Sequence, residues 1–169
     1  MAQNENDFQR EIVDETNLRN GHGSKVSTHL TIGIPDLYLK PKTAAPGHYG
    51  MWVECKFVKP RPAFKTLTLE LATLHQYEFL INEQSAGGIG LIFVGYAMQG
   101  RHQWGLLVAT PAYMSLHERK FTVTPEHFDP DQPYHFRRPL GGSWPMDDIF
   151  AFIIDQISYE GPKPFLNTP

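Results

Sequence analysis

The chain has 169 residues, 41% apolar content, a net charge of −3 and a single cysteine, Cys55. That length and apolar share suit one domain around one core, and a lone thiol excludes an intramolecular disulfide framework and any CxxC-type zinc site. No run approaches the roughly 18 apolar residues of a membrane span, and the opening "MAQNENDFQREIVDE" is too acidic for a secretory or mitochondrial leader, so a soluble intracellular protein with no membrane partner is expected.

In "NDFQREIVDETNLRN", Phe8, Ile12 and Leu18 fall on one helical stripe, with Asn6 a candidate N-cap and Asn20-Gly21 the stop. Beyond "GHGSK", the stretches "VSTHLTI" and "DLYLK" are predicted strands, and "GMWVECKFV" is the strongest strand in the chain. The 41–50 segment, punctuated by Pro and Gly, connects them. "PRPAFKTLTLELA" stays open: its prolines argue for a loop, "TLTLEL" alternates like a strand, and its leucines could begin a helix. Thr73-Leu74-His75-Gln76 fits a capping box that opens the helix "LHQYEFLINEQ", ended by Gly87-Gly88. "IGLIFVGYAM" then reads as a buried strand and "WGLLVATPAYM" as its hairpin partner. Segment 118–145, rich in Pro, His and Asp, is expected to wrap the surface. "SWPMDDIFAFIIDQISY" begins a last helix with Ser143 as N-cap, Pro145 in the first turn, Asp147 and Asp148 at the positive helix end, and Ile149, Phe152, Ile153 and Ile157 as its apolar face.

Charge is unevenly spread along this order of elements. From Arg19 to Lys65 there are eight basic residues and only two acidic ones, Asp36 and Glu54, leaving seven of the 15 basic and sixteen of the 18 acidic residues for the rest of the chain. The basic segment reads as a phosphate-facing side, with Lys25, Lys40, Lys42, Lys59, Arg61 and Lys65 as candidate DNA contacts. Side chains alternate along a strand, so Glu54 and Lys56 share one face and Cys55 takes the other. Asp36 opens the preceding strand directly after Pro35 and can reach the Glu54 face if the two strands pair. Two carboxylates a few ångströms apart repel unless a proton or a divalent cation lies between them, and Mg²⁺ is the natural occupant, with Mn²⁺ as a substitute. Such a cation polarises a phosphate and lowers the pKa of a bound water, and Lys56 would orient that water or offset charge developing on the phosphorane.

"GIPD" (Gly33 to Asp36) and "ECK" (Glu54 to Lys56), with an acidic helix before them and "LATLHQYEFL" after them, resemble the PD-(D/E)xK nuclease superfamily. The pattern is most similar to the virus-type replication and repair nuclease domain and to the archaeal-type and phage Holliday-junction resolvases, over roughly residues 5 to 95. The resemblance implies an α/β, restriction-endonuclease-like fold, a mixed β-sheet flanked by α-helices. It implies a metal held by Asp36, Glu54 and the Cys55 carbonyl, Lys56 as the catalytic lysine, a helix glutamate and the helix glutamine, Gln76. Glu5, Glu11 and Glu15 compete for the glutamate role, and Glu11 is chosen for its distance from the helix end. Gln76 has a second reading as a purely structural capping residue. The implied activity is Mg²⁺-dependent DNA endonuclease, selective for branched DNA and acting as a homodimer, in a bacterial or phage-infected cell. A nuclease on single strands, flaps or linear duplex is the runner-up, and a DNA-binding protein on a degenerate nuclease fold comes from another class. The core is placed at about 5–110 of a single domain, with 111–169 as an extension.

Other chemistries find no motif. There is no Walker A or GxGxxG loop, no GxSxG elbow and no HExxH among the eight histidines. Trp52, Tyr77 and Phe93 read as core residues rather than as base-stacking platforms.

Overall fold

The fold is given by a computed structural model, in which the described residues are 4–26, 33–42, 50–58, 67–69, 72–97, 104–109, 121–123, 134–139 and 141–160. Helix α1 (Glu5–Leu18) begins at Asn4, whose side chain accepts the Asp7 N–H at 2.9 Å, so the cap lies two residues before the predicted Asn6. Asn20, in the left-handed region at φ 57°, turns the chain out of the helix. Strands β1 (His22–Lys25), β2 (Leu37–Lys40) and β3 (Met51–Val58) follow as an antiparallel meander. The open segment "TLTLEL" contains a strand, β4 (Leu67–Leu69). Helix α2 (Leu74–Ser85) returns the chain to β5 (Ile89–Ala97), parallel to β3, and β6 (Trp104–Ala109) pairs with β5 as the expected hairpin.

The main sheet has the order β1-β2-β3-β5-β6-β8, where β8 is His135–Arg138, and a separate two-stranded sheet joins β4 to β7 (Phe121–Val123). Helix α3 (Met146–Glu160) closes the fold. The fold class is therefore α/β, a mixed sheet flanked by helices, as expected. The expectation that 118–145 wraps the surface fails at β8, which is an integral strand paired to β6. Ser143 is likewise not the cap of α3, because the carbonyl of Pro145 accepts the Ile149 N–H at 3.0 Å and so closes the first helical turn. The predicted strand at Val26–Ile32 falls mostly outside the described residues.

The two faces of the sheet do different things. Leu37 and Leu39 of β2, Met51, Val53 and Cys55 of β3, and Leu91 and Phe93 of β5 point to one side, where Phe8 and Ile12 of α1 and Met146, Ile149 and Ile153 of α3 complete the core. α2 lies on the other side. A Cβ at Gly90 of β5 would meet the Leu80 carbonyl at 2.7 Å, so only glycine lets the helix approach this closely.

The outer edge of β1 is closed by a side chain. Val26 donates to the Asp36 carbonyl at 2.8 Å, and by the two-residue alternation Ser24 opposite Tyr38 and His22 opposite Lys40 also turn their backbone groups to β2, so Gly23 between them turns its N–H and C=O outward. Asn17 takes both, accepting the Gly23 N–H at 2.8 Å and donating to its carbonyl at 3.2 Å. An amide thus stands where a neighbouring strand would pair, which protects the edge from another chain.

His135 of β8 is buried and hydrogen-bonded through Nε2 to the Tyr96 hydroxyl at 2.6 Å. Burial, and then the charge of Arg137, push its pKa from 6.5 down to about 4. The neutral ring therefore contributes stability that is complete above pH 6.5 and lost as the pH falls through 4, up to about 3 kcal/mol. On going from pH 7 to pH 4, urea unfolding should show the native protein losing up to about 3 kcal/mol more than His135→Gln, whatever the other titrating groups contribute to both.

Candidate active site

The "GIPD" turn is built from the residues upward. Gly33 sits at φ 94° with no room for a Cβ, which would lie 2.4 Å from the Cβ of His75, so this turn docks directly on the first turn of α2. Pro35 is buried, and the hydrogen bond from Val26 to the Asp36 carbonyl ties the backbone to β1. The Asp36 carboxylate is then aimed across to β3, where Oδ2 accepts the Cys55 N–H at 2.9 Å. A strand residue sends its N–H and C=O to the same edge, so the Cys55 carbonyl opens toward Asp36 as well. The Cys55 side chain goes the other way, into the core against α1, where burial pushes the thiol pKa far up and leaves it unreactive.

Glu54, on the α2 side of β3, is the one fully buried carboxylate among the described residues, 1% exposed. Both of its oxygens are engaged: Oε1 accepts from Lys56 Nζ at 2.8 Å and Oε2 from Gln76 Nε2 at 2.8 Å. Burial raises its pKa to about 7, with the negative charges of Asp36 and Glu5 adding to the rise and the Lys56 ammonium opposing it. Burial pulls the Lys56 pKa down, but the Glu54 ion pair together with the negative charges of Glu5 and Asp36 outweighs it, and the net shift is upward.

Gln76 unites the two readings of its sequence position. Its Oε1 accepts the Thr73 N–H at 2.9 Å while Thr73 Oγ1 accepts the Gln76 N–H at 3.3 Å, which completes the capping box. Its other amide atom is the donor to Glu54. One side chain thus caps α2 and fixes a buried carboxylate.

The helix carboxylate that meets this cluster is Glu5, and the choice of Glu11 is corrected. Glu5 Oε1 lies 4.0 Å from Lys56 Nζ, and its carboxylate accepts the Phe57 N–H. Burial and the nearby Asp36 raise its pKa against the pull of Lys56. Glu11 instead pairs with Arg138 of β8, and Glu15 pairs with Arg19. The cause is the helical wheel. Leu18, which set the expected stripe, is 75% exposed, whereas the buried stripe is Phe8, Gln9, Ile12 and Thr16. Glu5 precedes Phe8 and Gln9 by three and four residues and lies on that stripe, a placement that sequence reveals only if Gln9 and Thr16 are allowed to be buried.

The basic segment divides. Lys25 lies beside the cluster, with Nζ 2.7 Å from Asn6 Oδ1 and its charge acting on Glu5. Lys40 and Lys42 are exposed at the far end of β2. Arg19 is committed to Glu15, Asp147 and the Trp144 carbonyl. Lys59, Arg61 and Lys65 lie outside the described residues.

Among the described residues no group of three or more His, Cys, Asp or Glu side chains is arranged to hold a metal ion. Asp36, Glu54 and the Cys55 carbonyl are nevertheless hard oxygen donors on adjoining strands, with excess negative charge. Mg²⁺ keeps several waters and is commonly held by one or two carboxylates, so this donor set fits it.

No family model matches the chain, and no curated protein matches it. The solved structures that match include Archaeoglobus fulgidus Hjc, a Holliday junction resolvase from an archaeal hyperthermophile, at 15% identity and a TM-score of 0.45, covering 70% of this chain and 85% of that one.

Because the Glu54 pKa is raised from 4.5 to about 7, its protonated form stabilises the metal-free fold below pH 4.5, and that stability is lost as the pH rises through 7, by about 3 kcal/mol. This slope opposes that of His135. In chelator, Glu54→Gln should therefore gain stability with rising pH between 4.5 and 7, while His135→Gln should lose it. Denaturant midpoints across that range would check the two signs.

Proposed function

We propose that this chain is a divalent-metal-dependent DNA endonuclease that hydrolyses phosphodiester bonds, selective for branched DNA. The observation that supports this reading is the convergence of Asp36, Glu54, Lys56 and Glu5 at one end of β2, β3 and α1, with Gln76 locking Glu54 from α2.

Asp36, Glu54 and the Cys55 carbonyl would hold the ion. Mg²⁺ or Mn²⁺, when bound, supplies Lewis acidity at the scissile phosphate and lowers the pKa of a bound water. Asp36 keeps its carboxylate in place through the Cys55 N–H, which a strand backbone holds rigidly. Gln76 holds Glu54 in one orientation with a neutral donor, so that oxygen needs no cation for its partner. Lys56 is 22% exposed, enough to reach a phosphate or its attacking water, and its raised pKa keeps it charged at neutral pH. Glu5 adds negative charge beside that ammonium and steadies it.

Phosphate contacts beyond the scissile one fall to Lys25, Lys40 and Lys42, with Lys59, Arg61 and Lys65 completing the basic segment. The chain carries no base-reading motif, so backbone geometry would decide the substrate. Two symmetric cuts in a four-way junction require two sites, and a homodimer would supply them. The apolar residues of α3 from Met146 to Ile153 are spent within the fold and Asn17 closes the β1 edge, so the dimer would use another surface.

Asp36→Asn, Glu54→Gln and Lys56→Ala should each fold and lose cleavage by roughly 100-fold or more, and Glu5→Gln should lose more activity than Glu11→Gln. Side-by-side digestion of a four-way junction, a flap, a single strand and a linear duplex in Mg²⁺ reads both activity and choice. Preferential cutting of the junction is expected; preference for the flap or single strand would favour the runner-up, and no cutting in Mg²⁺ or Mn²⁺ would leave a binding protein.

In Ca²⁺, reversing Lys25, Lys40 and Lys42 to glutamate should weaken DNA binding and flatten its salt dependence, by about one unit of log–log slope for each phosphate no longer neutralised. Reversing Arg137, exposed on the opposite edge strand, should change little. Binding titrations at several salt concentrations separate the two.

A further inference from the structure

The sheet face that carries Glu54 also carries an aromatic pair. Tyr38 of β2 stands directly opposite Trp52 of β3, with ring centroids 5.1 Å apart. Trp52 is two residues before Glu54, so the pair and the buried carboxylate share a face, separated by about 7 Å of strand. Contrary to the expectation of a core role, Trp52 is only half-buried, as is Tyr38.

The surroundings of the pair are lopsided. On one flank, Phe79 of α2 meets the Trp52 ring edge-on at 5.0 Å and walls it off toward β5. On the other flank, the same face continues to Lys40 and to His22, which is paired with Lys40 across β1 and β2; both are exposed. Gly50 leaves the space over which the Tyr38 ring lies, since a Cβ there would meet the ring hydroxyl at 1.9 Å. Two rings held in place, a charged lysine at their open side and a carboxylate cluster one step away make an amphipathic surface with a direction. An unpaired nucleotide has the matching chemistry: a π-face for the rings and a phosphate for the lysine.

We propose that Tyr38 and Trp52 form a stacking platform for an unpaired base of the DNA strand whose phosphate lies at the Asp36–Glu54 cluster, with Lys40 holding the adjoining phosphate. This rests on the nuclease reading of the cluster and narrows the substrate to branched DNA in which the nucleotide next to the cut, at the branch point, is unstacked. Fully paired duplex has no free base to offer the platform.

The test measures binding rather than cleavage. Fluorescence anisotropy in Ca²⁺ would compare a branched DNA holding an unpaired base, the same DNA with an abasic position there, and a fully paired duplex, against the native protein, Tyr38→Ala, Trp52→Ala and the conservative Tyr38→Phe and Trp52→Phe. Each alanine variant should bind the unpaired-base DNA about ten-fold more weakly and the duplex as before. Removing the base should cost the native protein a similar factor and the alanine variants nothing further, and the phenylalanine variants should recover most of the loss. Equal weakening of all three DNAs, or losses from ring and base that simply multiply, would overturn the platform. If Trp52→Ala unfolds, Tyr38→Ala decides alone. A protein that binds with this coupling yet cuts nothing would refute the nuclease reading and keep the platform, whereas one that cuts without the coupling would do the reverse.

Discussion

A carboxylate almost completely removed from water sits at the centre of this structure, and everything around it answers that cost. Glu54 would be strongly disfavoured as an isolated ion. One oxygen meets an ammonium and the other a neutral amide, and its pKa still stands near 7 because burial and neighbouring negative charge outweigh the Lys56 ammonium. The result is a group balanced between protonated and ionised forms at neutral pH. A divalent cation would tip it to the ionised form and release a proton, so metal affinity and pH are coupled through this one side chain.

The partners of Glu54 come from structure that also holds the fold together. Gln76 is a cap residue of α2 before it is anything else, and the Asp36 carboxylate does for the Cys55 N–H what a further β2 residue would do in a longer strand. α1 delivers Glu5 only because its buried stripe is seated on the sheet. That seating is reinforced away from the site by the Glu11–Arg138 pair, by Arg19 reaching the Trp144 carbonyl and by Asn17 on the β1 edge. Glu11 and Glu15 thus serve as anchors for the helix that carries Glu5 to the site.

Much of this is legible in the chain. The alternation in "GMWVECKFV" places Glu54 and Lys56 opposite Cys55, and the Thr73–Gln76 spacing locates the start of α2, because strand period and capping chemistry are local. What sequence does not show is set by tertiary contacts. Leu18, the most apolar residue of its turn, faces solvent, while Gln9 and Thr16 are buried, so hydrophobicity centres the helical wheel wrongly and selects Glu11. Strand β8 is hidden for a similar reason: "HFRR" has two arginines, one of which turns inward to pair with Glu11 and lie over the Trp144 ring, a pairing no local pattern announces. Gln76 admits two competing roles from its position, and the two atoms of its amide fill one each.

The most direct test is crystallographic. Crystals soaked in Mn²⁺ should give an anomalous difference peak within about 2.2 Å of carboxylate oxygens of both Asp36 and Glu54, facing the Cys55 carbonyl, and the peak should vanish in Asp36→Asn. A well-occupied Mn²⁺ elsewhere with none between Asp36 and Glu54 at saturating metal would contradict the assignment of this cluster as a metal-dependent catalytic centre.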